Sequence, residues 1–189
     1  ISNLIKIFDN IIIVGGMGNA MLKNTGINIG KSVCDDGYKD LVEEILKKSK
    51  AHNCKIYYPL DVVVSKELNG NGTVKEINEV NNDEMILDIG PKTILSIKNI
   101  VDASNTVLWN GPAGYFENPN FARGTKEILE IIANKKSKDK IYAVAGGGET
   151  VAVINRFNKL DSFNFVSTAG GAFLEYLEGK KLPGISALN

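Results

Sequence analysis

The sequence predicts an α/β fold: a three-layer, Rossmann-like αβα domain with a parallel sheet and a small peripheral β-hairpin. Two observations indicate this class. Short β-branched or apolar runs alternate with amphipathic helical patterns along most of the chain. Several of these runs also end in glycine-rich or Gly-Pro turns. With 189 residues, 43% of them hydrophobic, the chain is long enough for one domain with a core of its own.

The predicted elements follow one another in an almost regular alternation. Strands are predicted at residues 11–14, 55–58, 61–65, 85–89, 106–109, 140–145 and 164–166. Helices are predicted at residues 19–23, 38–50, 93–101, 125–134, 150–157 and 173–178. The helix at 38–50 has a clear apolar stripe, and Asp35 or Asp36 could cap it. The chain starts without Met and within a helical pattern, so we expect a piece of a larger protein.

Residues 55–77 depart from this alternation. The turn signal Asn-Gly-Asn-Gly at residues 69–72 predicts that 62–64 pairs with 73–77 as a β-hairpin. Because this stretch is polar and stands outside the main pattern, we expect a ribbon at the periphery of the domain. The other strands are expected to form the parallel sheet. Their carboxyl ends then share the edge at which α/β proteins bind ligands.

The composition argues against several classes of protein. Lysine plus arginine and aspartate plus glutamate number 22 each, which argues against a nucleic-acid partner. No apolar run has the length of a membrane span and no signal peptide is visible, so we expect a cytoplasmic protein with no membrane partner. Cys34 and Cys54 are then reduced thiols, and His52, the only histidine, is interpreted as a surface residue. The sequence has no zinc-ligand pattern, Walker A loop or Gly-x-Ser-x-Gly elbow.

The turn from Gly146 through Gly147 and Gly148 to Glu149 and Thr150 joins a predicted strand to a predicted helix. Three glycines let backbone amides approach a phosphate closely, and the helix adds its positive N-terminal end. Glu149 offers a carboxylate for Mg²⁺, and Thr150 offers a hydroxyl for a phosphate oxygen. The alternative is a tight turn that binds no ligand.

The stretch from Ser167 to Ala172 repeats this pattern at the end of the next predicted strand. Thr168, Gly170 and Gly171 could form a second group of amides beside the first. A turn without a ligand is again the alternative. Two glycine runs at neighbouring strand ends favour one common cause, a phosphate-binding edge.

Residues 109–117, with the sequence WNGPAGYFE, are the most distinctive stretch. Pro112 and its flanking glycines predict a rigid loop after a strand, and such a loop could form one wall of a flat pocket for an adenine ring. Glu117 could accept hydrogen bonds from two ribose hydroxyls. Trp109 and Phe116 are interpreted as core residues, since aromatic side chains serve mostly in burial.

Together these stretches resemble phosphoglycerate kinase, and specifically the carboxy-terminal, nucleotide-binding half of that family. The matching stretches, in the family's order, are residues 15–17, 59–63, 88–91, 109–117, 146–150, 167–172, 174–175, 178–180 and 182–184. The resemblance implies transfer of a phosphoryl group between 1,3-bisphosphoglycerate and ADP, with Mg²⁺, in glycolysis. The amino-terminal lobe that binds 3-phosphoglycerate in this family is not in the sequence. We therefore expect residues 1–189 to bind ADP or ATP as a monomer and to be inactive alone.

The resemblance also implies roles for individual residues. The adenine would lie against Gly15, Gly16, Pro112 and Gly114, although the turn at Gly15 and Gly16 is a weak signal by itself. The ribose would be held by Glu117. The phosphates and Mg²⁺ would be held by Asn110, Gly146, Gly147, Gly148, Glu149, Thr150, Thr168 and Gly170, with Glu149 as the metal ligand. Amides of Gly148 and Gly171 would bind the transferred phosphoryl group.

Two positions depart from the family's usual pattern. Glu149 stands where Asp is usual, and Ala169 stands where Gly is usual. These departures leave open a second hypothesis, a nucleotide-sensing or interaction module without catalysis. A dinucleotide-dependent dehydrogenase is disfavoured, because residues 15–18 lack the Gly-x-Gly-x-x-Gly spacing.

Overall fold

The computed structural model describes residues 1–34, 37–138 and 140–187 and confirms the α/β class. The strands are β1 (Asn10–Ile12), β2 (Lys55–Tyr57), β3 (Asp61–Ser65), β4 (Thr73–Glu76), β5 (Met85–Ile89), β6 (Thr106–Asn110), β7 (Tyr142–Gly146) and β8 (Phe165–Val166). The helices are α1 (Gly15–Asn24), α2 (Lys39–Ala51), α3 (Pro91–Ala103), α4 (Arg123–Lys136), α5 (Gly148–Arg156), α6 (Gly171–Leu177) and α7 (Pro183–Ser186). The cap candidates Asp35 and Asp36 lie outside the described residues.

Two of the sheets are parallel, as the alternation of strands and helices predicts. Strand β1 pairs with β2, and β7 pairs with β6 on one side and β8 on the other. In this register Asn110 is the neighbour of Gly146, and Ala145 is the neighbour of Val166. The carboxyl ends of β6, β7 and β8 therefore lie side by side, followed by the loops that carry most of the predicted site residues.

The third sheet is antiparallel and corrects one expectation. Strands β3 and β4 form the predicted hairpin, but β3 also pairs antiparallel with β5, which we expected in the parallel sheet. Strand β3 is therefore a central strand, with Val62 and Val64 at 0% and 1% exposure. The polar residues of the hairpin turn and of β4 conceal this in the sequence, because they surround a short apolar strand that is buried on both sides.

The main core lies between the β6–β7 strands and helices α3, α4 and α5. It includes Trp109 and Phe163, whose rings stack with centroids 6.2 Å apart, so Trp109 is the core residue that the sequence predicts. Ala143 and Ala145 on β7 are fully buried, and their small side chains let helices pack closely on this strand. Within the described part of the chain, no helix combines the length and apolar character needed to cross a bilayer.

Helices α1, α3, α4, α5 and α6 begin earlier than predicted, because glycines or Pro91 belong to their first turns, whereas α2 begins one residue later than predicted. Pro91 is the first residue of α3, where its fixed φ suits a helix start. The carboxylate of Asp61, on strand β3, caps this helix. It accepts hydrogen bonds from the amides of Lys92 at 2.9 Å and Thr93 at 2.8 Å. This contact fixes α3 to the antiparallel sheet, next to the main core.

Candidate functional site

The N-terminus of α5 is an open group of amides at the glycine-rich edge. Gly147 precedes the helix with φ 88°, a conformation that favours glycine, and no described side chain caps the helix there. Gly148 and Glu149 are exposed, and no described atom lies within 4 Å of the point where a Cβ of Gly148 would be. Because the first amides of a helix have no acceptor within the helix, this turn can bind an anion.

Gly146, which the resemblance assigns to the phosphates, lies below the open edge. It is buried, and the space that its side chain would take is filled by the ring of Phe173 from α6. The absence of a side chain at Gly146 therefore allows α6 to pack against the end of β7. This places Gly146 beneath the candidate site instead of on its surface.

Thr150 is also turned away from the open edge. Its side chain is fully buried, and its hydroxyl oxygen accepts a hydrogen bond from the amide of Gly111 at 2.6 Å. The contact joins the first turn of α5 to the loop after β6. Thr150 is thus placed to hold these two loops in register, and its hydroxyl is already engaged with the backbone.

Asn110 lies between the same two loops. Its side-chain oxygen is buried and has no hydrogen-bond partner among the described residues. Gly147 passes so close that a Cβ there would lie 2.8 Å from this oxygen. A buried polar atom without a partner costs about 1–3 kcal/mol. This oxygen is an acceptor and calls for a donor or a cation, whereas the NH2 group of the same side chain is the part of Asn110 that could donate to a phosphate.

The loop at residues 111–117 is fastened at several points. The amide of Ala113 donates to the hydroxyl of Thr125 at 3.0 Å, and the amide of Tyr115 donates to the carbonyl of Leu87 at 2.7 Å. On its other side the loop meets α1, because a Cβ on Gly15 would lie 3.3 Å from the carbonyl oxygen of Pro112. The structure thus brings together Gly15 and Pro112, which the sequence assigns to one pocket.

Beside Gly16 there is an apolar groove of about 250 Å³ between α1 and α2. Met17, Ala20 and Val33 contribute to its lining. Glu117, the ribose candidate, is exposed at the far end of the 111–117 loop. The groove and the loop therefore bring an apolar surface and an exposed carboxylate to the glycine-rich side of the chain.

The loop after β8 is exposed at Thr168 and Gly171 and half-buried at Gly170. It is anchored by Ser167, which is buried, donates its amide to the carbonyl of Ala145 at 2.8 Å, and accepts from the amide of Ala169 at 3.3 Å. The loop follows a strand that is paired with β7, so it lies beside the turn that begins α5.

Asp88 and Thr125 support the loops of the candidate site, although the sequence motifs assign no role to either residue. Asp88 is only 2% exposed and accepts hydrogen bonds from the amides of Gly124 at 2.7 Å and Ile89 at 2.9 Å. Burial raises the pKa of its carboxyl to about 6, against the opposing effects of the two amides and of the positive charge of Arg123. The signal in the sequence is an aspartate inside an otherwise apolar strand, MILDI.

The donors for a metal ion are few. Glu149 is exposed in the first turn of α5, and the described residues contain no group of three or more His, Cys, Asp or Glu side chains that could hold a metal ion. Mg²⁺ in nucleotide sites uses one or two carboxylates together with phosphate oxygens and water.

A larger polar pocket, of about 720 Å³, lies at the opposite end of the parallel strands, near the start of β6 and β7. It contains Asn105, Lys140 and Tyr142. Lys135 on its wall donates to the carbonyls of Val101, at 2.5 Å, and Asp102, at 2.8 Å, and so caps the C-terminus of α3. Sheets of this kind bind ligands at the carboxyl ends of their strands, so the glycine-rich edge is the stronger candidate.

Comparisons with known proteins agree with the resemblance in the sequence. The sequence profile of the family described as "Phosphoglycerate kinase" matches residues 1–180. The phosphoglycerate kinases of Xanthobacter autotrophicus and Francisella philomiragia are 44% and 45% identical to 100% and 98% of this chain. The matches cover 48% and 47% of those proteins, so the chain spans about half the length of the curated relatives it matches.

Solved structures give the same result. The structure of phosphoglycerate kinase from Coxiella burnetii superposes on 99% of this chain with a TM-score of 0.92 at 40% identity, and the match covers 48% of that protein. The structure of phosphoglycerate kinase from Pyrococcus horikoshii superposes on 95% of this chain with a TM-score of 0.74 at 27% identity. The match covers 45% of that protein. The chain belongs to the phosphoglycerate kinase family.

Proposed function

We propose that residues 1–189 are the nucleotide-binding, carboxy-terminal half of a phosphoglycerate kinase and bind ADP or ATP with Mg²⁺. The observation that carries this proposal is the convergence of three strand ends at one edge, beside a helix whose first amides are uncapped and exposed among the described residues. Amides at a helix N-terminus are suited to phosphate groups. Family membership supplies the class of ligand.

The phosphates would lie against the first turn of α5, over Gly147, Gly148 and Glu149. Asn110 would offer the NH2 group of its side chain to a phosphate from below, because its buried oxygen is an acceptor and cannot pair with phosphate oxygens. The exposed amide of Gly171 would reach the same phosphates from the neighbouring loop. This arrangement places the transferred phosphoryl group between the ends of β7 and β8.

The base would lie between the turn at Gly15 and Gly16 and the loop that carries Pro112 and Gly114. The close approach of Gly15 to Pro112 supports a shared pocket, and the apolar groove beside Gly16 offers a surface on which a flat ring can pack. Glu117 is exposed and would accept hydrogen bonds from the ribose.

Mg²⁺ fits the donors at this edge. Glu149 would hold it as the single carboxylate, with phosphate oxygens and water as the other ligands. The ion supplies charge neutralisation for the phosphates. The chain's own residues position the nucleotide: the α5 turn binds the phosphates, while Thr150 and Thr125 hold the neighbouring loop in place.

The full reaction of the family's members would be phosphoryl transfer between 1,3-bisphosphoglycerate and ADP in glycolysis. The three-carbon substrate would be bound by the half of a full-length family member that does not align with residues 1–189. The whole enzyme would be monomeric and cytoplasmic. Residues 1–189 alone would therefore bind nucleotide without turnover.

Calorimetric titration with ADP, with and without Mg²⁺, tests the binding. Binding is expected at millimolar ADP and is expected to tighten when Mg²⁺ is present. Glu149→Gln is expected to lose the gain that Mg²⁺ gives, whereas the control Glu67→Gln, at the exposed hairpin turn, is expected to keep it. Absence of binding at millimolar ADP, or equal Mg²⁺ gains in both variants, would contradict the proposal.

A further inference from the structure

Asp88 lies beneath the loop at residues 111–117, on the strand β5 to which that loop is fastened. Its side chain is buried, and each carboxylate oxygen accepts one backbone amide: Oδ2 that of Gly124 and Oδ1 that of Ile89. Gly124 belongs to the first turn of α4, and no described side chain of the preceding residue caps that helix. The carboxylate of Asp88 therefore serves as the anionic group at the N-terminus of α4.

The carboxylate also fills the space between the loop and the helix. A Cβ on Gly114 would lie 2.5 Å from Oδ1 of Asp88, and a Cβ on Gly124 would overlap the same oxygen. Glycine at both positions thus lets two backbone segments close on one buried carboxylate. Tyr115 and Ala113, on either side of Gly114, are hydrogen-bonded to Leu87 and Thr125, so the whole loop rests on this part of β5 and α4.

We propose that Asp88 is a positioning residue, which sets the place of the 111–117 loop and thereby of the nucleotide base that the loop would hold. This inference rests on the proposed function, since it is the nucleotide that would report the position of the loop. Asp88 would not touch the nucleotide itself. It would act through Gly114 and through the first turn of α4.

The ionised carboxylate is the form that supports this geometry. With both oxygens unprotonated, it accepts the amides of Gly124 and Ile89 together. Protonation makes one oxygen a much poorer acceptor, so the hydrogen bond from one of the two amides weakens and the anionic cap of α4 is lost, even though burial of the charge favours the neutral form for the stability of the whole chain. The loop is therefore expected to loosen when Asp88 is protonated.

The charged surroundings of Asp88 are simple. Arg123 in the first turn of α4 is the group whose charge favours the ionised form. On β3 the residue that faces Asp88 is the uncharged Val63, and α1, which also packs on β5, carries Lys23 as its charged residue, in its last turn. Because burial raises the pKa of Asp88 to about 6, the protonation step falls within a range that is accessible to binding experiments.

The test compares the affinity for Mg²⁺-ADP of the unsubstituted chain, Asp88→Asn and the control Asp161→Asn, which removes an exposed carboxylate from a surface turn. At pH 7.5, Asp88→Asn is expected to bind about tenfold more weakly, which corresponds to about 1.4 kcal/mol, and Asp161→Asn is expected to bind normally. Between pH 7.5 and 5, the affinity of the unsubstituted chain is expected to fall towards that of Asp88→Asn, with a midpoint near 6. The titration of ADP itself affects all three chains alike. Equal affinities and equal pH profiles for all three would overturn the proposal.

Nuclear magnetic resonance on the unsubstituted chain keeps the test decisive if Asp88→Asn does not fold. The amide of Gly124 is expected to report the protonation of Asp88, and the amides of Gly114 and Tyr115 are expected to shift with the same midpoint. Loop amides that do not respond would overturn the positioning role. If the chain binds no ADP at any pH, the proposed function fails, while this titration still shows whether Asp88 controls the loop.

Discussion

The buried hydroxyl oxygen of Thr150 accepts the amide of the half-buried Gly111 at 2.6 Å, and this bond joins the two loops that follow β6 and β7. The sequence pattern assigns Thr150 to a phosphate oxygen. In the structure the hydroxyl lies inside the protein, one residue after the exposed Glu149. The bond thus keeps the loop of Asn110 and Pro112 in register with the turn that would bind the phosphates.

Thr150→Val is expected to destabilise the chain by about 1–3 kcal/mol, because valine has the same shape but leaves the half-buried Gly111 amide without this acceptor. Thr150→Ser is the matched control, since it keeps the hydroxyl and loses only a methyl group. Urea denaturation measures the free energy of unfolding, and hydrogen exchange at Gly111 is expected to be faster in the valine variant only. Equal exchange at Gly111 in both variants would show that the hydrogen bond does not hold this loop.

The stability of the chain is expected to depend on pH through Asp88. Burial raises the pKa of this carboxyl from 3.8 to about 6, so its ionised form is disfavoured in the folded chain. The stability that this group contributes is fully present below pH 3.8 and is lost as the pH rises through 6. At 1.36 kcal/mol per pKa unit, the loss is about 3 kcal/mol.

Urea denaturation of the unsubstituted chain and Asp88→Asn at several pH values between 4 and 7 measures this effect. The difference in free energy of unfolding is expected to shift in favour of Asp88→Asn as the pH rises. The control Asp161→Asn removes a carboxylate without burial and is expected to show no such shift. A constant difference between Asp88→Asn and the unsubstituted chain would contradict the raised pKa.

Gly146→Ala is expected to destabilise the chain by about 1–3 kcal/mol, because its new methyl group would overlap the ring of Phe173. Gly148→Ala, two residues later, places the same methyl group in open space and is expected to change the free energy of unfolding by about 0.5 kcal/mol or less. The double variant Gly146→Ala, Phe173→Leu is expected to recover part of the loss. Equal effects of the two alanine substitutions would contradict the packing role of Gly146.

Asp61→Ala is expected to cost about 2 kcal/mol, since it removes the cap of α3 and leaves the amide of Lys92 and the buried amide of Thr93 without this acceptor. Asp161→Ala, which removes an exposed carboxylate from the short 3-10 helix Leu160–Ser162, serves as the control. Thermal or urea denaturation distinguishes the two. Similar stabilities would mean that water replaces the Asp61 carboxylate at the start of α3.

Local patterns in the sequence predict much of this fold. The β-branched run before Gly15, the apolar stripe of α2 and the glycine clusters after β7 and β8 each depend on residues close together in the chain. The antiparallel pairing of β5 with β3 could not be predicted in this way, because Met85–Ile89 has the same apolar character whichever neighbour it has. Pairing partners are a long-range property, and alternation along the chain favours a parallel sheet by default.

The candidate site shows the same limit. The glycine turns indicate which strand ends lie together, and the structure confirms that Asn110 and Gly146 are neighbours. The turn from Gly146 to Thr150 does not reveal that Phe173 fills the space at one end, or that Gly111 binds the hydroxyl at the other. Both contacts come from distant parts of the chain and depend on the direction in which each side chain points.

The most direct measurement is a map of backbone amide shifts in the ¹⁵N-labelled chain on addition of Mg²⁺-ADP. The largest shifts are expected at Gly147, Gly148 and Glu149, with further shifts at Gly15 and in the loop at residues 111–117. The polar pocket near Asn105, Lys140 and Tyr142, at the other end of the strands, is expected to remain unchanged. Shifts concentrated in that pocket, or absent from the α5 turn at saturating nucleotide, would contradict the account.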